Sequence, residues 1–224
     1  ASRALRRLSP AKIKTGRYPV IFEAPVAPSI ISALVSAVSG GNLFRETSFL
    51  LNSLDSKVAS SILTIKEDPF QLSGNASTSF DDDGVMVQPR VVVDKGYLSG
   101  YFLSTYSGRR LGMETTGNAG GAHNLIIDST VENLNKLIAQ MDTGLIVTEL
   151  MGQGLNIVTG DYSRGVAGLW VEKGVIKHAV EEITIAGNMK DMLMGIVGVG
   201  GDLYLNGSKY TGSILIESMT VASN

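Results

Sequence analysis

The chain has 224 residues, 44% of them hydrophobic and 18% charged, with 26 glycines, 6 prolines and no cysteine. Such a chain is long enough to bury a core, and the composition excludes wholesale disorder, disulfides, thiolate metal ligands and a cysteine nucleophile. A net charge of −2 gives no electrostatic footprint for nucleic acid, and the lack of cysteine suits a reducing, cytoplasmic location.

Residues 1–17 read as a helix tail and linker, and residues 18–224 as the domain proper, with room for two repeated subdomains. The basic cluster of Arg3, Arg6, Arg7, Lys12, Lys14 and Arg17 reads as a solvated face rather than a nucleic-acid arm. The chain opens on Ala and runs straight into a helix end, which predicts that residues precede it. "YPVIFEAP", Tyr18 to Pro25, is a short buried strand. Pro28 suits the first turn of a helix through Ser39, stopped by Gly40-Gly41. The uncharged run from Ala24 to Phe44 could span a bilayer by length, but Pro25, Pro28, its serines and its glycine end argue against a membrane segment.

A second amphipathic helix is expected over Phe44–Leu54, then a strand over Ser61–Glu67. "STSFDDDGVMVQP" reads as a turn-rich loop before a strand at Arg90–Asp94. A hairpin follows through a three-residue turn Asp94-Lys95-Gly96, with its second strand at Tyr97–Thr105. Ser129 and Glu132 form a capping-box pattern for a helix Thr130–Met141, with Leu134, Leu137, Ile138 and Met141 as its apolar stripe. Gly144–Leu150 is a strand. Glu172-Lys173-Gly174 turns a second hairpin, Met189–Gly195 is a short helix, and Asn206-Gly207 turns a third hairpin. The sum is α+β and strand-dominated: a large antiparallel sheet built from hairpins, with two or three packed helices. No βαβ alternation supports a doubly wound nucleotide fold.

Candidate chemistry is sparse. "GIVGVGGD" and "MGQGLNIVTGD" lack the Gly-Lys-Ser/Thr ending of a phosphate loop and read as tight turns. "FDDDG" lacks the spaced ligands of a calcium loop and reads as a solvated turn. Of the two histidines, His178 falls in a hairpin strand. His123, in the glycine-rich "TTGNAGGAHNL" with Asn118, is open to either a local hydrogen-bonding role or catalysis. In "TGDYSRG", Arg164 could hold a peptide carboxylate by a bidentate pair, or Asp161 and Arg164 could brace the turn against each other. No nucleophile–base–orienter set can be assembled.

Four stretches together resemble the TldD/TldE metalloprotease family, on its TldE/PmbA side. They are "SFDDDGVMVQP", "GYLSGYFLSTYSGRRLGMETTGNAGG", "LIVTELMGQGLNIVTGDYSRGVAGLWVEKG" and "VEEITIAGN". The resemblance implies the C-terminal half of such a protein. In the TldD partner a His-Glu-x-x-x-His helix supplies two zinc ligands and a general base, with a late cysteine as a further ligand. Laid on this chain, the histidine positions fall at Ser32 and Ala37, the glutamate position at Ala33, and the cysteine has no counterpart. By physical reading alone, Ser29, Ser32, Ser36 and Ser39 form one narrow face of an ordinary helix whose small residues allow close packing.

The resemblance therefore implies a non-catalytic subunit of a heteromeric zinc metalloprotease that processes extended or unfolded peptides. Zinc is expected only in the TldD-like catalytic partner, and no metal or other cofactor in this chain. Asn118, His123, Asp161 and Arg164 are the residues expected to face a peptide chamber. A homodimer through the large sheet is expected when the chain is isolated. The rival expectations are a regulatory protein of the DNA gyrase modulator type, and a self-sufficient hydrolase with a metal site around His123 and a carboxylate.

Overall fold

The computed structural model describes residues 2–223. In chain order the elements are α1 (Ser2–Leu5), β1 (Gly16–Phe22), α2 (Pro28–Ala37), α3 (Gly40–Phe44), β2 (Ile65–Asp68), β3 (Arg90–Asp94), β4 (Tyr97–Leu98), α4 (Thr105–Leu111) and β5 (Asn124–Ile127). They continue as α5 (Leu134–Met141), β6 (Gly144–Met151), β7 (Asp161–Glu172), β8 (Val175–Asn188), α6 (Met189–Met194), β9 (Ile196–Val199), β10 (Lys209–Tyr210) and β11 (Ile214–Ser223). The α+β, strand-dominated reading holds, but the strands divide into two sheets and each contains one parallel pair.

The first sheet runs β1-β6-β7-β8-β11-β9, and a further β1–β11 pairing closes β1, β6, β7, β8 and β11 into a ring. Closure removes the exposed edges that a long open sheet would present. In β1, Val20, Ile21 and Phe22 are all fully buried, because both faces of the wall are covered. Val20 and Phe22 join the main core with Ile30, Ile31 and Leu34 of α2. Ile21 points the other way, into a second cluster with Leu137, Ile138 and Met141 of α5. Alternate residues of one strand thus serve two cores, as the two-residue period of a strand requires. The second sheet has the order β10-β5-β2-β3-β4.

The β3–β4 and β7–β8 hairpins turn where expected, but through two-residue loops: Asp94 pairs with Tyr97 and Glu172 with Val175. Both central residues are left-handed, with φ of 47° and 85° at Lys95 and Gly96 and 53° and 68° at Lys173 and Gly174. Such turns match the twist of the strands they join. At Gly96 a Cβ would also stand 2.3 Å from the Ala59 carbonyl oxygen, so a side chain is doubly excluded.

Several expected elements are corrected. The helix Phe44–Leu54 is absent: α3 ends at Phe44, and left-handed φ at Glu46 (58°) and Asn52 (54°) turns the chain instead. The helix expected from Thr130 begins at Leu134, capped by the Asn133 side chain, which accepts from the Lys136 N–H at 3.2 Å. Thr130 and Val131 donate their backbone N–H groups to the Val199 carbonyl, at 2.8 and 3.1 Å, and the Val131 carbonyl accepts from the Gly201 N–H at 2.9 Å, so this segment is held to distant strands and its carbonyl is not free for a helix. Asn206-Gly207 turns no hairpin, since residues 203–205 before it form no strand and β10 after it pairs with β5. Thr105, expected at a strand end, starts α4, where Ser104 and Ser107 form a reciprocal capping box. Among the described residues no helix is long and apolar enough to cross a membrane.

Candidate functional site

In β2, Ile65 and Glu67 are buried while Lys66 is exposed. A carboxylate therefore occupies a core-facing position where alternation calls for an apolar side chain. Glu67 is only 2% exposed, and a buried charge requires compensation. Arg90, directly across from it in register, donates through Nε to Glu67 Oε2 at 2.7 Å. Glu67 Oε1 accepts from Asn118 Nδ2 at 2.8 Å, the His123 backbone N–H at 2.8 Å and His123 Nδ1 at 2.9 Å. Arg90 Nη2 in turn donates to Asn118 Oδ1 at 3.1 Å, closing a ring of three residues, Glu67, Arg90 and Asn118, with His123 attached through Glu67. The Arg90 guanidinium also lies 5.0 Å from the Phe102 ring centroid, and Gly100 leaves it room, since a Cβ there would meet Arg90 Nη1 at 2.7 Å. Donation to the carboxylate assigns the proton to His123 Nδ1.

Asn118 belongs to a loop in which Gly117, Gly120 and Gly121 all have positive φ. Asp81 fastens that loop, accepting from the Ala119 N–H at 2.9 Å while also accepting from the Asp83 and Val85 N–H groups at 3.0 and 2.9 Å. Asp83 accepts from the Thr105 N–H at 2.9 Å. The "FDDDG" carboxylates thus include two that stitch loops together. The glycine-rich loop forms one wall of a cleft of about 380 Å³, also lined by Val35 and Ser39 of the α2 end and by Phe44 and Tyr106.

Asn118 and His123 are therefore brought together, while Asp161 and Arg164 lie apart from them on β7. Nor do those two brace each other, because residues three apart on a strand point to opposite faces. Asp161 is exposed, accepting from Thr159 Oγ1 at 2.7 Å and Asn188 Nδ2 at 3.2 Å. These bonds, Thr159 first, hold its carboxyl below the usual range. Arg164 Nη2 donates to the Gly152 carbonyl. Its buried Nε and the Tyr162 hydroxyl form no hydrogen bond of good geometry, although the guanidinium lies beside the phenol. Burial pushes the Tyr162 phenol up, and the nearby Arg164 charge opposes that shift. Glu67 and Arg90 escaped the sequence reading; a lone charge on the inward phase of a short strand was their signal. Among the described residues no three His, Asp or Glu side chains converge where they could hold a metal ion.

The model of the PmbA/TldA metallopeptidase C-terminal domain matches residues 15–223. The chain belongs to this family. Metalloprotease PmbA of Escherichia coli O157:H7 is 47% identical over 222 residues, covering 99% of this chain and 49% of that protein. The chain thus spans about half the length of the curated relatives it matches. The crystal structure of a candidate modulator of DNA gyrase from Bacteroides thetaiotaomicron superposes with a TM-score of 0.94 at 31% identity, covering 100% of this chain and 51% of that one. That of TldE from Thermococcus kodakarensis gives a TM-score of 0.86 at 25% identity, covering 99% of this chain and 54% of that one. The resemblance carried by the four sequence stretches is borne out.

In this PmbA-type domain α2 carries no charged side chain. Pro28 opens it, and the Ser29 and Ser32 hydroxyls donate to the Val26 and Pro28 carbonyls at 2.7 and 2.8 Å. Serines bonded to their own helix in this way need no outside partner. Ala33 is 6% exposed and Ala37 is fully buried, both packed in the main core. The Ala37 carbonyl accepts from Ser48 Oγ at 2.6 Å. Ser32, Ala33 and Ala37 therefore offer no nitrogen, thiolate or carboxylate to a metal.

Proposed function

We propose that this domain belongs to a non-catalytic subunit of a heteromeric zinc metalloprotease, forming part of an enclosed chamber in which a TldD-like partner cleaves extended peptides. One observation carries the reading: the helix at the family's catalytic position presents two packed alanines and a serine bonded to its own backbone. Zinc catalysis needs several protein ligands and a base to activate water. The residues here do not fit that group, so zinc and the cutting step are assigned to the partner.

The domain's own contribution is shape and polar lining. Asn118 reaches the cleft wall, and His123, Asp161 and Arg164 are assigned to the chamber surface with it. The assigned location is cytoplasmic, shared with the partner; an isolated subunit pairs with its own copy. Arg164→Ala is expected to weaken peptide processing and leave partner binding intact.

The test is peptide cleavage by the protein alone and mixed with its TldD-like partner, with zinc quantified in each. Cleavage only in the mixture, with zinc confined to the partner, is expected. Zinc-dependent cleavage by this protein alone overturns the reading. A second reading, regulation of DNA gyrase, is favoured by the description of the Bacteroides structure. Pull-down of gyrase without a TldD-like protein would select it.

A further inference from the structure

The cleft beside the glycine-rich loop has a mouth unlike its floor. Phe44 and Tyr106 stand edge to face with centroids 5.6 Å apart and planes at 84°. The guanidinium carbons of Arg45 and Arg110 lie 5.1 and 5.7 Å from the Phe44 ring centroid. Both arginines are exposed, and among the described residues neither has a carboxylate partner. Contact with a ring face holds a guanidinium in place while leaving its N–H groups available, so part of the ordering cost of ligand binding is met beforehand. The lining leaves room beside them: a Cβ at Gly41 or Gly121 would meet nothing within 4 Å. The nearby acidic loop is largely committed elsewhere. Asp81 and Asp83 accept from backbone N–H groups, and Asp82 lies against Gly120 of the glycine-rich loop.

We propose that this cleft binds a peptide segment in which a carboxylate adjoins an apolar side chain. The apolar side chain packs against the cleft side of the Phe44–Tyr106 pair, and Arg45, which lines the cleft, takes the carboxylate together with Arg110 beside the same Phe44 ring. Guanidinium–carboxylate pairs of this kind are directional and charge-assisted. The carboxylate can come from an acidic side chain or from a peptide C-terminus, since both present the same group. The assignment rests on the peptide-handling role above for its biological meaning, but the binding itself requires neither zinc nor the partner.

The experiment is fluorescence anisotropy of the purified protein with three labelled, unstructured heptapeptides built around a central phenylalanine. One carries glutamate beside the phenylalanine and an amidated C-terminus. One carries glutamine there with a free C-terminus, and the third is neutral, with glutamine and an amide. At least one carboxylate peptide is expected to bind about 10-fold more tightly than the neutral one, and which does so identifies the source. Arg45→Gln with Arg110→Gln is expected to erase that preference. Gly41→Phe, at a position with no left-handed φ, is expected to weaken all three peptides by filling the cleft. Equal binding of charged and neutral peptides overturns the proposal, as does a preference that survives the double substitution in protein with unchanged circular dichroism. A protein that binds the peptides yet supports no cleavage with its TldD-like partner overturns the protease role and leaves the cleft assignment standing. Cleavage without the carboxylate preference does the reverse.

Discussion

The Glu67 ring of contacts and the Asp161–Arg164 end of β7 use the same chemical groups under opposite conditions. Both contain a carboxylate, a guanidinium and an asparagine amide. Glu67, 2% exposed, accepts four hydrogen bonds and shares its arginine with Asn118. Asp161, exposed, accepts two side-chain hydrogen bonds and has no arginine at all. Where water is excluded, the partners are obligatory; where water is present, it can replace any of them. The same contrast separates a structural knot that holds a loop from a strand end that is free to change.

The largest expected effect follows from opening the knot. Glu67→Ala leaves the Arg90 guanidinium and the His123 ring facing a vacancy with no carboxylate, and should cost about 3–5 kcal/mol. Urea unfolding should show the midpoint falling at constant slope. A midpoint near that of the wild type would mean water enters freely, and the contrast with Asp161 would collapse. Arg90→Lys sharpens the comparison because it keeps the charge and loses the fork. One ammonium cannot reproduce both the Nε bond to Glu67 and the Nη2 bond to Asn118, so a loss of about 1–3 kcal/mol is expected.

What the sequence disclosed follows the same division between local and distant causes. The hairpin turns were legible because Lys-Gly pairs between strand-forming runs act locally. The helix start at Leu134 was not, because Thr130 and Val131 are claimed by Val199, a residue distant in the chain. Asn206-Gly207 misled for a related reason: no strand forms before it over residues 203–205, and β10 after it pairs with the distant β5. In the site, Asn118 and His123 could be named from their glycine-rich setting. Glu67 and Arg90 could not be joined to them, since only the pairing of β2 with both β3 and β5 brings the four together. The α2 helix was legible in extent, and two of its serines, Ser29 and Ser32, bond to carbonyls three and four residues earlier.

Tyr162 shows the exposed region's hidden side. It is 5% exposed, and its hydroxyl forms no hydrogen bond of good geometry. Removing the buried hydroxyl removes its desolvation penalty but strands the neighbouring Arg164 Nε, so Tyr162→Phe is expected to change stability by less than about 1 kcal/mol at neutral pH. The sign at high pH is fixed by the upward shift of the phenol. Unfolded tyrosine ionises near 10.0, the folded one later, so the wild type loses stability as pH rises above that value. The variant should lack that loss, and thermal melts from neutral to strongly alkaline pH would show the two curves separating. Coincident curves would mean that Arg164 compensates the phenol fully.

The smallest expected effect is at Asp161. Its folded pKa is depressed by the bonds from Thr159 and Asn188, so its contribution is complete above the unfolded value of 3.8 and is lost as pH falls through the folded one. Asp161→Asn removes the ionisation, so the acid limb of stability against pH should flatten slightly below about pH 4, and the small deficit against the wild type should be complete at neutrality. Because the group is open to solvent and salt, the difference should shrink further when ionic strength is raised. Glu67→Ala, by contrast, should remain destabilised in high salt, since its partners lie where counterions do not reach. Thermal melts of the two variants at low and high salt therefore test the comparison directly: a salt response at Glu67 matching that at Asp161 would show the two carboxylates to share one environment, and the buried knot would lose its special standing.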